Sequence, residues 1–327
     1  MKKVLVTGAD GFIGSHTTEA LLQQGYQVHA FCLYNSFGSR GWLDTLPSKT
    51  IEKAKVFMGN ITDAGTLKKA MQSCDTVIHL AAQVSIPYSY QAVSLFADTN
   101  IKGTLNVLDA ARESNVGHVL VTSTSEVYGT ALQVPITEQH PKQPQSPYAA
   151  TKVAADAMAT SYYKSFGLPV TIIRPFNTYG PRQSARAVIP AIITQLVANA
   201  PTIKLGNLKP TRDFLYIQDT VAAILTLAKN PKYAGETFNI CSGTEISIEA
   251  LAQKLIQKIK PDTTLAEDKK RLRPETSEVY RLFGDATHLK TKTNWQPAFT
   301  LDKGLEATIQ WFSNPKNQSY YSQRYEI

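Results

Sequence analysis

Cysteine is scarce in this chain: Cys32, Cys74 and Cys241 are odd in number and widely spaced, which excludes a disulfide framework. Charge is sparse too, 18% against 43% hydrophobic residues, so the chain buries a sizeable core and is no disordered polymer. No apolar run reaches the length of a membrane span. Lys2-Lys3 precede only three apolar residues before Thr7-Gly8, too short for a signal-peptide core. A soluble cytoplasmic protein without membrane association is expected. The six histidines show no ligand spacing, so no metal site is expected. A net charge of +8 has no basic run longer than Lys269-Lys270-Arg271, which argues against nucleic acid. Repeats and low-complexity segments are absent, and 327 residues suffice for two packed units.

Glycine and apolar runs are where the chain becomes informative. Val4-Leu5-Val6-Thr7 leads into Gly8-Ala9-Asp10-Gly11-Phe12-Ile13-Gly14 and a helical pattern from Phe12 to Gln24. A strand, a glycine turn and a helix let a pyrophosphate approach backbone N–H groups at the helix start. The spacing is G-x-x-G-x-x-G, not the commoner G-x-G-x-x-G. Strand-like runs recur at Lys3–Thr7, Gln27–Cys32, Lys55–Met58, Thr76–Leu80, His118–Thr122 and Val170–Arg174. Helical patterns at Phe12–Gln24, Thr66–Ser73, Leu95–Ser114 and Tyr148–Phe166 separate them. The alternation predicts an α/β fold, a Rossmann-type doubly wound parallel sheet. Val134 to Pro147 carries four prolines and is expected to be a surface loop. Beyond Arg174 the rhythm is less regular, with helices expected at Val188–Asn199, Ile246–Lys260 and Leu301–Phe312. The polar tail after Trp311 (Asn314, Pro315, Asn317, Gln318, Ser319) is expected to fray.

Ser146-Pro147-Tyr148-Ala149-Ala150-Thr151-Lys152 carries the chemistry. Pro147 suits a first helical turn, and i, i+4 spacing puts the Tyr148 phenol and Lys152 ammonium on one face. A lysine beside a phenol favours phenolate, so Tyr148 is expected to act as a base near neutral pH. Glu126, 22 residues earlier, adds a second proton acceptor. Together they suit oxidation of a carbinol, then proton removal beside the new carbonyl.

Nearly end to end, the chain resembles the extended short-chain dehydrogenase/reductases that modify nucleotide sugars. The resemblance rests on Gly8 to Gly14, His79-Leu80-Ala81-Ala82, Thr99-Asn100-Ile101-Lys102-Gly103-Thr104, Ser123-Thr124-Ser125-Glu126-Val127-Tyr128-Gly129 and Tyr148-x-x-x-Lys152. Arg174-Pro175-Phe176-Asn177-Thr178-Tyr179-Gly180-Pro181-Arg182 and Thr211-Arg212-Asp213-Phe214 extend it. It implies a dinucleotide-binding domain of residues 1–176 plus about 217–243, and a smaller α/β nucleotide-sugar domain of about 177–216 plus 244–327. Asp219–Lys229 and Thr237–Ile240 would return to the first. It also implies NAD or NADP, regenerated each turnover. The cofactor would be held by Gly8, Gly11, Phe12, Ile13, Gly14, Asn35, Ser36, Arg40, Asn60, Ile61, Leu80, Ala81, Ala82, Asn100, Tyr148, Lys152 and Pro175. The acid that relatives often place after the second strand is replaced by Cys32, and Arg40 could meet a 2′-phosphate, so both cofactors stay open. Asp63 reads as lying near the adenine or, the favoured reading, as the cap of the following helix. A homodimer is implied, through a four-helix interface of Asn100–Ser114 and Tyr148–Phe166, with Ala150, Ala154, Ala157 and Tyr162 as packing surface.

In such enzymes Tyr148 would take the proton from the carbon 4 hydroxyl, Lys152 would hold the cofactor ribose, and Thr124 would hydrogen-bond the same oxygen. Glu126 would remove the acidified carbon 5 hydrogen, and water would leave across carbons 5 and 6. The Thr-Ser-Glu order resembles GDP-mannose 4,6-dehydratases. In dTDP-glucose 4,6-dehydratases an aspartate stands at Ser125 as the acid for the departing water, so here Glu126 or a water must serve. Leu33-Tyr34-Asn35-Ser36-Phe37, Arg182-Gln183-Ser184-Ala185-Arg186 and Arg271 to Glu278 resemble the 4,6-dehydratases of legionaminic acid biosynthesis. Those act on a nucleotide-linked N-acetylglucosamine, with GDP or UDP as the expected carrier here. Arg212 and Arg273 match diphosphate-gripping positions, and Asn177 matches a substrate contact. Ser85, Arg182, Arg186, Val188 and Leu205 complete the expected substrate set. UDP-glucuronate decarboxylases share Ser-Glu-Val-Tyr-Gly and, with 4-epimerases, are the alternatives. A non-catalytic dinucleotide-binding regulator is the alternative from another class, although such proteins usually lose the tyrosine or lysine.

Overall fold

In the computed structural model, which describes residues 2–321, the opening apolar run forms strand β1 (Lys3–Thr7) in the middle of a seven-stranded sheet. Its partners are β2 (Gln27–Leu33), β3 (Ala54–Gly59), β4 (Thr76–His79), β5 (His118–Thr122), β6 (Val170–Pro175) and β11 (Thr237–Ile240). All pairings are parallel, in the order β11-β6-β5-β4-β1-β2-β3. Successive side chains of a strand face opposite ways. Val4 and Val6 accordingly enter one core cluster, with Ile78, Leu120, Ile173 and the helix Ile217–Ala228. Leu5 enters the other, with Val77, Val119, Val121 and the helices Ala64–Met71 and Gly103–Glu113. Burial on both faces is why these strands read as continuous apolar runs. Strand order reverses at β1, which has β2 on one side and β4 on the other. The crevice beyond the carboxyl ends there is where such sheets bind ligands.

The expected helix Leu95–Ser114 is interrupted. It runs as Val93–Ala97, a π-helical turn Asp98–Lys102 and Gly103–Glu113, with Asn100 fully buried in the wide turn. Single π turns concentrate at functional sites. The proline-rich stretch is a loop, but it is not all surface. Ile136 is 0% exposed; its N–H donates to Phe283 O at 2.7 Å, and its carbonyl accepts from Asp285 N at 2.9 Å.

Short pairings assemble the rest. β7 (Asn177–Tyr179) lies parallel to β10 (Phe214–Tyr216), and β8 (Thr202–Leu205) parallel to β13 (Thr264–Glu267). β9 (Thr211–Arg212) is flanked by β12 (Ile246–Ser247) and β14 (Arg281–Leu282). Such short segments carry little periodicity, which is why the sequence does not display them. The tail does not fray through Tyr321. Asn314 caps a helical turn at Pro315–Gln318, and the Tyr320 and Tyr321 rings lie 5.6 and 5.5 Å from Trp42. Aromatic packing outside the polar stretch anchors it. No helix among the described residues is long and apolar enough to cross a membrane.

Candidate active site

β5 delivers Thr124 and Glu126 to the carboxyl edge of the sheet. The turn Ser125–Tyr128 starts with Thr124 Oγ1 accepting from Glu126 N at 3.2 Å. Ser146 caps the helix Pro147–Phe166, its hydroxyl accepting from Ala149 N at 3.1 Å, with Pro147 in the first turn. That helix brings Tyr148 into hydrogen bonding with Thr124 and beside the Glu126 charge. Lys152 Nζ donates to Thr122 O at 2.5 Å. Thr124, Ser125, Glu126, Tyr148 and Lys152 are all buried.

Across from them stands Arg212 at the end of β9, buried near Glu126. Its Nη2 is 3.6 Å from Glu278 Oε1, and Arg273 Nη1 is 3.7 Å from the same oxygen. Arg273 Nη1 is buried without a hydrogen bond. Two arginines thus converge on one carboxylate, an arrangement able to receive a second anionic group.

Burial dominates the site's protonation. The Tyr148 phenol is pushed up to about 12 by desolvation and then by Glu126, with the Thr124 hydrogen bond pulling the other way. Lys152 is not among the causes of this shift, its ammonium being held on the Thr122 carbonyl. Lys152 itself is lowered to about 8 by burial, with Asp156 opposing.

The glycine turn fits a dinucleotide. Gly8 has φ +66°, and a Cβ there would meet Ala81 Cα at 2.8 Å; a Cβ on Gly14 would fall 1.9 Å from Gly8 O. The helix Phe12–Gln23 starts after Gly11 with no side-chain cap and no acid in its first turn; Gly11 N donates to Gly8 O at 3.1 Å, and Phe12 and Ile13 at the helix start offer donors and positive dipole to a pyrophosphate. Leu80 N and Ala81 N donate to Thr7 Oγ1 at 3.2 and 3.3 Å, fixing Leu80, Ala81 and Ala82 beside this turn.

Other expected cofactor residues have structural partners. Asn35 Oδ1 accepts from Phe37 N and Ser39 N, both at 3.1 Å, and thereby shapes the loop that exposes Ser36. Arg40 Nε is 2.7 Å from Asp44 Oδ1. Asn60 Oδ1 accepts from Thr62 N at 3.0 Å, and Ile61 lies in the core under Gly103. Asn100 links Gln83 N (2.8 Å) and Gln83 O (3.0 Å) to Thr151 Oγ1 (3.0 Å), bracing the helix that carries Tyr148. Pro175 ends β6 opposite Ile240. Asp63 caps the helix Ala64–Met71 as expected, accepting from Gly65 N at 3.0 Å. Asp10 has no part in the sequence expectation. Its carboxylate accepts from Leu33 N at 3.2 Å, at the strand end that lacks an acid. An aspartate inside the glycine turn was its only signal.

The expected substrate residues separate. Asn177 keeps a buried Oδ1 without a partner, as a ligand-facing amide would. Arg182 is placed elsewhere: its Nη2 pairs with Glu19 at 2.8 Å and its guanidinium lies 5.9 Å from the Trp311 ring, not with Arg212 and Arg273. Arg186 is exposed, Val188 opens the helix Val188–Val197, and Leu205 is buried at the end of β8. Ser85 caps a short turn, its hydroxyl accepting from Tyr88 N at 3.4 Å. Glu278 lay inside a motif without an assigned role; only the fold places it between the arginines.

A doubly wound sheet with a Tyr-x-x-x-Lys helix at its carboxyl edge defines an extended short-chain dehydrogenase/reductase. The family described as GDP-mannose 4,6 dehydratase matches residues 5–308, and the chain belongs to that family. It is 34% identical over 320 residues to human dTDP-D-glucose 4,6-dehydratase, covering 95% of this chain and 90% of that one. The dTDP-glucose 4,6-dehydratase of Actinoplanes is 30% identical, over 98% of this chain and 100% of the relative. Among solved structures, DesIV, the dTDP-glucose 4,6-dehydratase of Streptomyces venezuelae with NAD and TYD bound, superposes with a TM-score of 0.88 at 29% identity, covering 98% and 99% of the two chains. The Bacillus cereus UDP-glucuronic acid 4-epimerase with UDP-glucuronic acid and NAD gives 0.85 at 28%, covering 98% and 100%.

Proposed function

We propose that this enzyme is a NAD(P)-dependent nucleotide-sugar 4,6-dehydratase, acting on GDP- or UDP-linked N-acetylglucosamine to form a 4-keto-6-deoxy sugar. The observation that carries the reading is Glu126, a buried carboxylate beside the Tyr148 phenol and facing Arg212. A 4-epimerase has no step that needs such a base. The N-acetylglucosamine assignment rests on the three segments that resemble the legionaminic-pathway dehydratases.

The bound dinucleotide supplies a hydride acceptor for carbon 4 and later a donor for carbon 6, and its cationic ring favours phenolate at Tyr148. Tyr148 takes the carbon 4 hydroxyl proton, with Thr124 holding the same oxygen. Lys152 adds positive charge and a donor at the ribose. Glu126 removes the carbon 5 proton, acidified by the ketone, and passes it to the leaving carbon 6 hydroxyl, because Ser125 is too weak an acid to do so; once carbon 6 has regained a hydride, carbon 5 takes a proton from solvent by way of Glu126. Arg212 and Arg273 hold the diphosphate, with Asn177 as a further contact. In this reading residues 1–176 plus about 217–243 bind the dinucleotide, and the remainder binds the nucleotide sugar.

We also propose a homodimer through the helix Pro147–Phe166. Ala150 and Ala157 are exposed and Ala154 half-exposed on that helix, whereas Tyr162 turns inward, donating to Asp109 Oδ1 at 2.7 Å. Light scattering showing a monomer at micromolar concentration removes this part. Incubation with GDP- and UDP-N-acetylglucosamine, followed by mass spectrometry, tests the activity. A product lighter by one water is expected; unchanged mass with altered configuration selects an epimerase.

A further inference from the structure

Away from the reacting groups, a buried polar chain runs between the two elements that carry them. Tyr128 ends the turn that holds Glu126 and is 0% exposed. Its hydroxyl donates to Asn239 Oδ1 at 2.7 Å and accepts from Arg174 Nη1 at 2.8 Å. Arg174 uses its other two nitrogens on Asp156 Oδ2, at 3.1 and 2.9 Å. Asp156, also 0% exposed, lies one turn beyond Lys152 on the helix of Tyr148. Asn239 is itself fixed, Nδ2 donating to Ile136 O and N donating to Glu138 Oε1. Lys142 Nζ stands 3.9 Å from Asp156 Oδ2 and screens it from the loop side.

We propose that Tyr128, Arg174 and Asp156 form a buried strut that fixes Glu126 relative to Tyr148, making Tyr128 a positioning residue for the elimination step. The inference rests on the reading of Glu126 as the carbon 5 base. One sugar must meet the phenol at carbon 4 and the carboxylate at carbon 5 together. A misplacement of about 1 Å costs on the order of 100-fold in rate. Loss of the Tyr128 hydroxyl leaves Asn239 Oδ1 without that donor and Arg174 Nη1 with only the Glu138 carbonyl at 3.4 Å, in a low-dielectric interior where such losses are costly. Tyr148 and Lys152 share one helix and keep their mutual geometry without the strut. Oxidation at carbon 4 therefore survives its loss better than proton removal at carbon 5.

The test is Tyr128→Phe, which retains the ring and removes the hydroxyl. It uses single turnovers of the sugar that the wild type dehydrates, with reduced nicotinamide followed by its absorbance and solvent deuterium at carbon 5 followed by mass spectrometry. We expect the reduced cofactor to persist on the order of 10-fold longer and deuterium uptake to slow in parallel, with its rate of appearance within about 3-fold of wild type. Arg174→Lys, which keeps a cation for Asp156 and loses the reach to Tyr128, is expected to do the same and serves if the first variant does not fold. Equal slowing of both steps, or no change in their ratio, overturns the inference. Glu126→Gln in the same assay separates the two claims. If it accumulates reduced cofactor while Tyr128→Phe leaves the ratio unchanged, only the strut fails; if it eliminates water at the wild-type rate, the base assignment fails first.

Discussion

Lys152 and Thr122 are joined by a 2.5 Å hydrogen bond from the ammonium to the last carbonyl of β5. The lysine is thereby held beneath the site without ionising its neighbour, and Tyr148 stays a neutral phenol in the protein alone, near 12. An ultraviolet difference titration of wild type minus Tyr148→Phe should show no tyrosinate from this residue until the pH approaches that value. Adding NAD should bring the transition down, and a transition near pH 7 without cofactor contradicts the structure.

Lys152, lowered by burial to about 8, has a protonated form that is lost as pH rises through that value. NAD affinity, measured by fluorescence titration, should therefore weaken above about pH 8 and hold steady below it. Lys152→Met should abolish the pH dependence and bind NAD uniformly weakly, by roughly 10-fold, the worth of one charge-assisted hydrogen bond.

Glu126→Gln preserves shape and removes the base. Overall dehydration should fall by roughly 100-fold to 10,000-fold, the range for general base catalysis. Deuterium should no longer enter carbon 5 from solvent, whereas cofactor reduction persists.

Arg212 and Arg273 share Glu278 at 3.6 and 3.7 Å. Arg273→Ala should raise KM for the nucleotide sugar by roughly 10-fold to 100-fold with a smaller change in kcat, because a diphosphate contact acts on ground and transition states alike. Arg182→Ala should instead lower thermal stability with little effect on KM, since its partner is Glu19.

Acid should destabilise the fold before it reaches carboxylate range. His79, lowered by burial to about 3, and His16, lowered to about 4, stay neutral when folded but take up a proton near pH 6.5 when unfolded. Their contribution is therefore full above pH 6.5 and is lost as pH falls toward 4. Asp213, raised by burial to about 6, has the opposite sign: the folded state takes up its proton first and gains stability between 6 and 3.8. As pH falls from 7 toward 6 the histidine losses lead and stability is expected to fall, before the Asp213 gain offsets part of it. Urea unfolding at pH 7, 6 and 5 measures it, and a flat stability across that range contradicts the assignment.

Much of the sheet was legible because a strand buried on both faces must be apolar throughout. Gln27–Cys32, Thr76–Leu80 and His118–Thr122 therefore announce themselves within one residue of their observed ends. The two- and three-residue strands around Arg212 were not, since so short a segment has no period to read. Tyr148, Lys152 and Glu126 could be named as candidates from the sequence, but the burial that raises the phenol could not. Spacing along a helix says which side chains share a face, not what else competes for them.

By itself the sequence determined the parallel sheet, the glycine turn at the head of the first helix and the placing of Tyr148 and Lys152 on one helix face, since all three follow from local pattern and covalent order. Only the tertiary structure decided that Lys152 is held on Thr122, that Arg182 belongs to Glu19, that Glu278 bridges Arg212 and Arg273, and that Tyr128 reaches Asp156 through Arg174. Each of these joins residues distant in sequence, inside an interior where desolvation and long-range packing set partners and protonation, and neither quantity is written in any stretch of neighbouring residues.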